Sequence, residues 1–271
     1  VLLTGIYMSQ FTIEMLSDQC GVSMQNLRTW QRHGLLRPSR DGAGRRFFNY
    51  SHLMRTQMIV KWLERGIPLS EIAKLLKGER ATLNSQWMLY QENMLAALEK
   101  PTADKLRTLL RRFGREMPAG LMIDNIIAPL RLWLQEGQTA AQNVRRVRFD
   151  TLVLEYIVYV LQAARKRQTH SLLVVPLNMQ DPLAVWLEAL RCSSEGFRID
   201  VLGEAVTHPD LKMFTAEHYM LYSDLPLTPL QEVQLQQWQS EGMPLFFAGR
   251  AFQSLSTFPS TLYNDALEDV G

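Results

Sequence analysis

Two short helical segments separated by Gly21-Val22-Ser23 constrain this chain more than any other feature. Thr12 stands where an N-cap is wanted, and Ile13, Leu16 and Cys20 repeat at helical spacing behind it, which predicts a helix over Thr12 to Gln19. Gly21 supplies the turn, Ser23 is a second N-cap, and Gly34 stops a second helix running from Met24 to His33. Two helices this short, joined this tightly, have helix-turn-helix spacing.

The second helix divides into two characters. Val22, Leu27 and Trp30 suit a core, whereas Ser23, Gln25, Asn26, Arg28 and Arg32 are expected to point away from it. Arg28 and Arg32 are four residues apart and share a face. Short polar residues ahead of arginines suit a recognition helix, the former reaching base edges and the latter holding phosphates. Trp30 and Phe48 are equally readable as packing residues. After Gly34 comes a basic, glycine-rich stretch from Leu35 to Phe48, read as two arms of a small hairpin lined by Arg40, Arg45 and Arg46. A third helix is expected over Ser51–Arg65 and a fourth from about Pro68 to Lys77, followed by Gly78.

Charge points the same way. The chain has 271 residues and a net charge of only +2, but residues 1–80 carry twelve Lys/Arg against six Asp/Glu. The remainder carries seventeen against twenty-one. A basic head on a mildly acidic body implies that the head alone faces a polyanion. Two distant cysteines, Cys20 and Cys192, give neither a disulfide framework nor metal-ligand spacing, which suits a reducing, cytoplasmic compartment. No apolar run approaches the roughly 18 residues of a membrane span. Residues 1–8 are set aside as a leader open to disorder.

The ordered string Gly21-Val22-Ser23, Leu27-Arg28-Thr29-Trp30, Gly34-Leu35-Leu36-Arg37-Pro38, Gly44-Arg45-Arg46-Phe47-Phe48 and Gly66-Ile67-Pro68-Leu69-Ser70-Glu71-Ile72 resembles the winged-helix head of MerR-family regulators. The resemblance implies a sequence-specific transcription regulator that binds double-stranded DNA as a homodimer at an inverted-repeat promoter site, alongside RNA polymerase. It makes Arg28 a recognition-helix contact, Trp30 an aromatic against the DNA backbone, Arg46 the wing arginine and Phe48 the aromatic that pins the wing. The expected DNA-binding set is therefore Ser23, Gln25, Asn26, Arg28, Trp30, Arg32, Arg40, Arg45, Arg46 and Phe48.

Beyond residue 80 the pattern changes twice. Helices are expected at Leu83–Leu98, Thr102–Arg115, Leu121–Glu136 and Ala140–Arg167, with Thr102 as a cap. Short connections favour a four-helix bundle. Leu152, Tyr156, Tyr159 and Val160 read as its core stripe. The runs Arg145-Arg146-Val147-Arg148 and Arg165-Lys166-Arg167 read as solvated faces and are not assigned to DNA. From 169 to 250, apolar strands at Leu172–Val175, Phe197–Gly203, Tyr219–Tyr222 and Leu245–Ala248 alternate with helices at Pro182–Cys192 and Thr228–Glu241, which indicates a parallel sheet. The fold class is mixed α and α/β: a winged helix-turn-helix head at 9–80, a helical bundle at 81–168, a Rossmann-like (flavodoxin-like) domain at 169–250 and a loose tail at 251–271.

A bundle followed by such a domain resembles the cobalamin-binding body of some MerR relatives, and Trp30-Gln31-Arg32 is similar to that subgroup's version of the recognition helix. The subgroup's ligand residues are absent, however. The loop Pro176 to Pro182 holds no histidine; Glu155 is present, but Tyr156 replaces the upper-face histidine and Arg145 the tryptophan. No cofactor and no metal is therefore expected. The Leu221–Leu225 segment, the helix around Trp186 and the Pro244–Ala248 strand are similar to the MlrA/BluR-like branch of the family, which implies biofilm- or curli-type control and a body that receives a protein signal. The alternative is a regulator responsive to cobalamin or another small molecule. No catalytic constellation stands out, so an enzyme is not expected.

Overall fold

A computed structural model describes residues 10–77, 86–136, 139–165, 170–193 and 196–253. The leader, Leu83, Gly78, Lys166, Arg167 and the tail from residue 254 lie outside the described residues. The chain divides into two units: residues up to 160 with 190–196, and residues 161–189 with 197 onward.

In the first unit, α1 (Ile13–Cys20) starts on Thr12, whose Oγ1 accepts the Met15 amide at 3.3 Å. It stops at Gly21, which takes the left-handed conformation at φ 59° that a residue with a Cβ resists. Ser23 opens α2 (Met24–Arg32) by accepting the Asn26 amide at 3.1 Å. The wing is a two-stranded antiparallel ribbon, β1 (Ser39–Arg40) with β2 (Arg46–Phe47). Its turn is organised by one carboxylate oxygen, Asp41 Oδ1, which accepts the amides of Ala43 and Arg45. At the root, Phe11 and Phe48 exchange two backbone hydrogen bonds of 2.7 and 2.8 Å. Helices α3 (Tyr50–Glu64) and α4 (Leu69–Leu76) complete the head around Leu16, Leu27, Ile59 and Ile72, none of which reaches solvent.

The helical region comprises α5 (Trp87–Leu98), α6 (Asp104–Glu116), α7 (Ala119–Met122), α8 (Ala128–Glu136) and α9 (Ala140–Ala164). Thr102 does not cap α6: the preceding residue is Ala103, and no side chain makes the bond. The single helix expected over 121–136 is interrupted by a π-helical turn, Ile123–Ile127. Pro129 accounts for it. A proline in a helix lacks an amide to donate and crowds the carbonyl four residues back, here that of Asn125. That carbonyl turns to α5 and accepts from Gln91 Nε2 at 2.7 Å, while Asn125 Nδ2 donates to the Leu121 carbonyl at 3.0 Å.

In the basic run on α9, Arg145 and Arg148 are ties to the end of α5 and not the solvated face expected, while Arg146 bonds within α9 itself. Arg148 donates to the carbonyls of Leu98, the last residue of α5, and of Lys100 and Pro101 beyond it, and Arg145 pairs with Glu99 at 2.8 Å. Asp150 holds Arg131 of α8 at 2.8 Å and Arg146 at 3.6 Å. Tyr159 leaves the expected core stripe: it is half exposed, with the Arg111 guanidinium 4.9 Å above its ring.

The second unit is built on a parallel sheet of order β4-β3-β5-β6, made from β3 (Ser171–Asn178), β4 (Arg198–Val201), β5 (His218–Ser223) and β6 (Leu245–Ala248). Leu172 to Leu177 are all buried, as a central strand covered on both faces requires. α10 (Pro182–Cys192) follows β3. α11 (Pro229–Ser240) connects β5 to β6 and sends Leu235 and Trp238 into the core with Leu173, Val175 and Leu221. The tail begins as a short helix, α12 (Arg250–Gln253), so its first residues are not loose. Among the described residues no helix is long and apolar enough to cross a membrane.

Candidate nucleic-acid interface

The outer face of α2 is one stripe. Gln25, Arg28 and Arg32 are exposed, three and then four residues apart. Arg28 makes no side-chain hydrogen bond or ion pair among the described residues; Arg32 donates to Thr29 Oγ1 at 2.9 Å. Ser23 is half-buried and spends its hydroxyl on Asn26 Oδ1 at 2.6 Å.

The wing presents three arginines. Arg45 is 83% exposed along its side chain even though its Nε reaches Asp41 at 2.8 Å. The Arg45 amide and guanidinium hold the Asp41 carboxyl below the usual carboxylate range. Arg40 Nη1 donates to the Gly44 carbonyl at 2.8 Å, bracing the turn. Arg46 is exposed, without a side-chain hydrogen bond or ion pair among the described residues.

Three expected DNA contacts are turned inward, which corrects the reading for them. Phe48 is 3% exposed, with its ring edge-on to His52; it pins the wing root from inside the head. Asn26 is 1% exposed and Trp30 fully buried. Both face the C-terminal end of α6. Asn26 Nδ2 donates to the carbonyls of Gly114, Arg115 and Met117 at 3.0–3.1 Å, and Trp30 Nε1 to that of Glu116 at 3.0 Å. The last carbonyls of any helix lack intrahelical donors, and here the recognition helix supplies them. Asn26 thus caps a helix that is not its own. The expectation failed because it allowed α2 a single core, whereas α2 packs against both its own head and α6. The signal was available: Asn26 lies four residues after Val22 and four before Trp30, on their face.

Sequence reading expected the helix now seen as α6 but did not single out its basic residues. Its exposed residues include Lys105, Thr108, Arg111, Arg112 and Arg115. Arg112, Arg115 and Glu116 line a cleft of about 280 Å³ together with Thr29, Arg32 and His33 from the end of α2. Glu116 is largely buried there, and burial raises its carboxyl above the usual range against the pull of Arg112, His33 and Arg115.

The positions that would serve cobalamin are otherwise engaged. Glu155 is held by Arg107 through bonds of 2.8, 3.0 and 3.1 Å, and Arg107 keeps its carboxyl below the usual range. Arg145 is committed to Glu99. Tyr156 fills the crossing of α9 over α6, where a Cβ on Gly114 would lie 1.7 Å from its hydroxyl oxygen. At the carboxyl ends of β3 and β5, Asn178 and Gln231 bond each other reciprocally at 2.9 and 3.2 Å. Gln231 Nε2 also reaches the Thr207 carbonyl, and the Asp224 carboxylate accepts the Gln180 amide. No imidazole is offered as a metal ligand in the loop after β3, and the upper-face residues are tied into helix contacts, so these residues do not fit the group.

Comparison with known proteins extends along the chain. Residues 11–79 match the model of the MerR HTH family regulatory protein, 87–162 the helical domain of the transcriptional regulator MlrA, and 169–245 its C-terminal domain. The chain is 32% identical to the HTH-type transcriptional regulator MlrA of Escherichia coli over 243 residues, 89% of this chain and 100% of that relative. It is 31% identical to MlrA of Salmonella typhimurium over 87% of this chain and 97% of the relative. With the HTH-type transcriptional repressor CarH of Myxococcus xanthus it shares 24% identity, over 74% of this chain and 73% of the relative. A match at this identity over 89% of the chain and the whole of the relative, on a head whose second helix and wing are basic, shows that the chain belongs to the MlrA family of MerR-type, DNA-binding transcriptional regulators.

Proposed function

We propose that the chain acts in the cytoplasm as a dimer at an inverted-repeat promoter site, alongside RNA polymerase. Gln25, Arg28 and Arg32 lie in the major groove in this reading, while Arg40, Arg45 and Arg46 follow the phosphates and Ser23 sits at the groove's edge. The observation that carries the reading is the division of α2: its exposed stripe is polar and basic, whereas Asn26, Leu27, Thr29 and Trp30 are buried in the protein. Two-fold symmetry in the protein implies an inverted repeat in the DNA.

In this reading the head spans 9–80. A bundle at 81–168 and a Rossmann-like domain at 169–250 form a sensor body that has lost cobalamin and receives a protein signal, in control of the biofilm or curli type. The ties of Glu155, Arg145 and Tyr156 within the body support the loss. One observation favours the alternative of a small-molecule signal. A cleft of about 500 Å³, lined by Gln180, Asp224, Leu227, Glu232 and Arg250, opens at the carboxyl edge of the parallel sheet, where open α/β sheets bind ligands.

Genome-wide footprinting of the bound protein tests the first reading. An enriched inverted repeat is expected, with Arg28→Ala relaxing preference at one base position of each half-site at a cost of about 1–3 kcal/mol. The absence of any enriched motif would overturn it. A visible absorbance band retained after incubation with cobalamin and desalting would favour the alternative.

A further inference from the structure

We propose that α6 is a second DNA-binding element, with Arg112 and Arg115 carrying the phosphate-contacting surface past the end of the recognition helix. The proposal rests on the DNA-binding reading of the head and adds the helical region to the interface.

Three observations support it. The first is continuity. Asn26 and Trp30 bond the carbonyls of residues 114 to 117, so the last turn of α6 is fastened alongside α2. Arg112 and Arg115 then share one cleft with Arg32 and His33, at the end of the exposed stripe of α2. The second is charge. The cleft carries three arginines and one histidine against a single carboxylate, Glu116. Glu116 forms a long ion pair of 3.6 Å with Arg112, which also rests 4.8 Å above the Phe113 ring, so this one carboxylate offsets one of the three guanidinium groups and leaves the cleft basic. Arg115 is exposed and makes no side-chain hydrogen bond or ion pair among the described residues. The third is selection of face. The apolar residues of α6, Leu106, Leu109, Leu110 and Phe113, are buried; Arg107 and Arg111 turn toward α9, and Arg112 and Arg115 are exposed beside the end of α2.

DNA is the occupant these features favour. An open cleft of about 280 Å³ flanked by guanidinium groups, continuous with a basic recognition helix, suits the regular anionic edge of a duplex. Arginine forks match phosphate oxygens, and such contacts position a protein without reading sequence. The acidic total of the chain beyond residue 80 conceals this surface, because it averages over faces that do not meet DNA.

The test is a titration of the full chain with a random-sequence duplex at several salt concentrations. The wild type is compared with Arg112→Gln/Arg115→Gln and, as a head control, Arg46→Ala. The double variant is expected to flatten the slope of log affinity against log salt by about two, and Arg46→Ala by about one. Over a fourfold rise in salt, the double variant should lose about tenfold less affinity than the wild type. An unchanged slope in the double variant beside a flattened one in Arg46→Ala overturns the α6 interface and leaves the head's role standing. Weaker binding with an unchanged slope also overturns it, because the arginines would then act by holding α6 in place. If the wild type shows no salt-dependent binding, the DNA reading of the head fails as well, and Arg46→Ala will show no effect either.

Discussion

Replacing Asn26 with alanine removes the one side chain that joins the recognition helix to three carbonyls at the end of α6. Two N–H protons serve three acceptors at 3.0–3.1 Å, so the loss is closer to two full hydrogen bonds than three. A net hydrogen bond is worth about 1 kcal/mol, and a carbonyl left buried without a donor adds about 1 more. The expected destabilisation is therefore about 2–3 kcal/mol, with Ser23 still capping α2 through its hydroxyl. Asn26→Asp should cost more. It keeps the shape and the acceptor for Ser23, but directs a negative charge at the negative end of α6. Urea unfolding followed by tryptophan fluorescence measures both, with Trp30 reporting from the same contact. A lower midpoint at constant slope is expected for each, in the order alanine then aspartate. A change below about 0.5 kcal/mol in both variants would refute the capping role, because surface substitutions remain within that range.

Other consequences are equally specific. Gly114→Ala would ordinarily strengthen a helix interior by about 1 kcal/mol, but here the new Cβ meets Tyr156, so a loss of about 1–3 kcal/mol is expected in thermal unfolding. Adding Tyr156→Phe, which removes the hydroxyl oxygen, should recover part of that loss, and a Gly114→Ala protein more stable than wild type would show that α6 and α9 do not cross this closely. The raised Glu116 carboxyl has the opposite sign to the usual salt-bridged case: the folded chain holds the proton more tightly, so this group's contribution to stability falls as pH rises from 4.5 through the folded value. Glu116→Gln should therefore gain on the wild type at neutral pH and lose that advantage in acid; a pH-independent difference between their urea midpoints would contradict it. Cys20, whose thiol burial pushes up to about 12, should alkylate slowly at neutral pH, and rapid labelling would show that it is not sheltered.

What could be read in advance divides by the range of the interaction. Thr12, Gly21 and Ser23 act within three or four residues of themselves, so their roles are visible in the string of letters. The strands around Leu172–Val175 and Tyr219–Tyr222 are visible because burial on both faces leaves an unbroken apolar run. The burial of Asn26 is legible from its place between Val22 and Trp30, but its acceptors are not, because they lie 88 to 91 residues away. A polar residue on a buried face announces that it has a partner, and nothing local says which. Arg145 and Arg148 likewise resemble solvent-facing cations until the end of α5 is placed beneath them. For the arginines of α6 the obstacle was arithmetic: a charge summed over a region carries no information about faces.

The π-helical turn at Ile123–Ile127 has a consequence for how this family can vary. The turn holds one residue more than a regular helix would use over the same rise, and each residue in a helix turns its successors by about 100°. Its length therefore acts as a rotational setting for everything that follows in α8. Deleting one residue there would remove the extra residue, crowd Pro129 against the carbonyl four residues back and swing Arg131 away from Asp150. The Asn125 carbonyl, now met by Gln91, would lose that donor as well. Insertions and deletions should accordingly be tolerated better in the wing turn, whose bonds are all to Asp41 and Arg40 of the wing itself, and excluded from this turn, although both are short and neither touches the exposed stripe of α2.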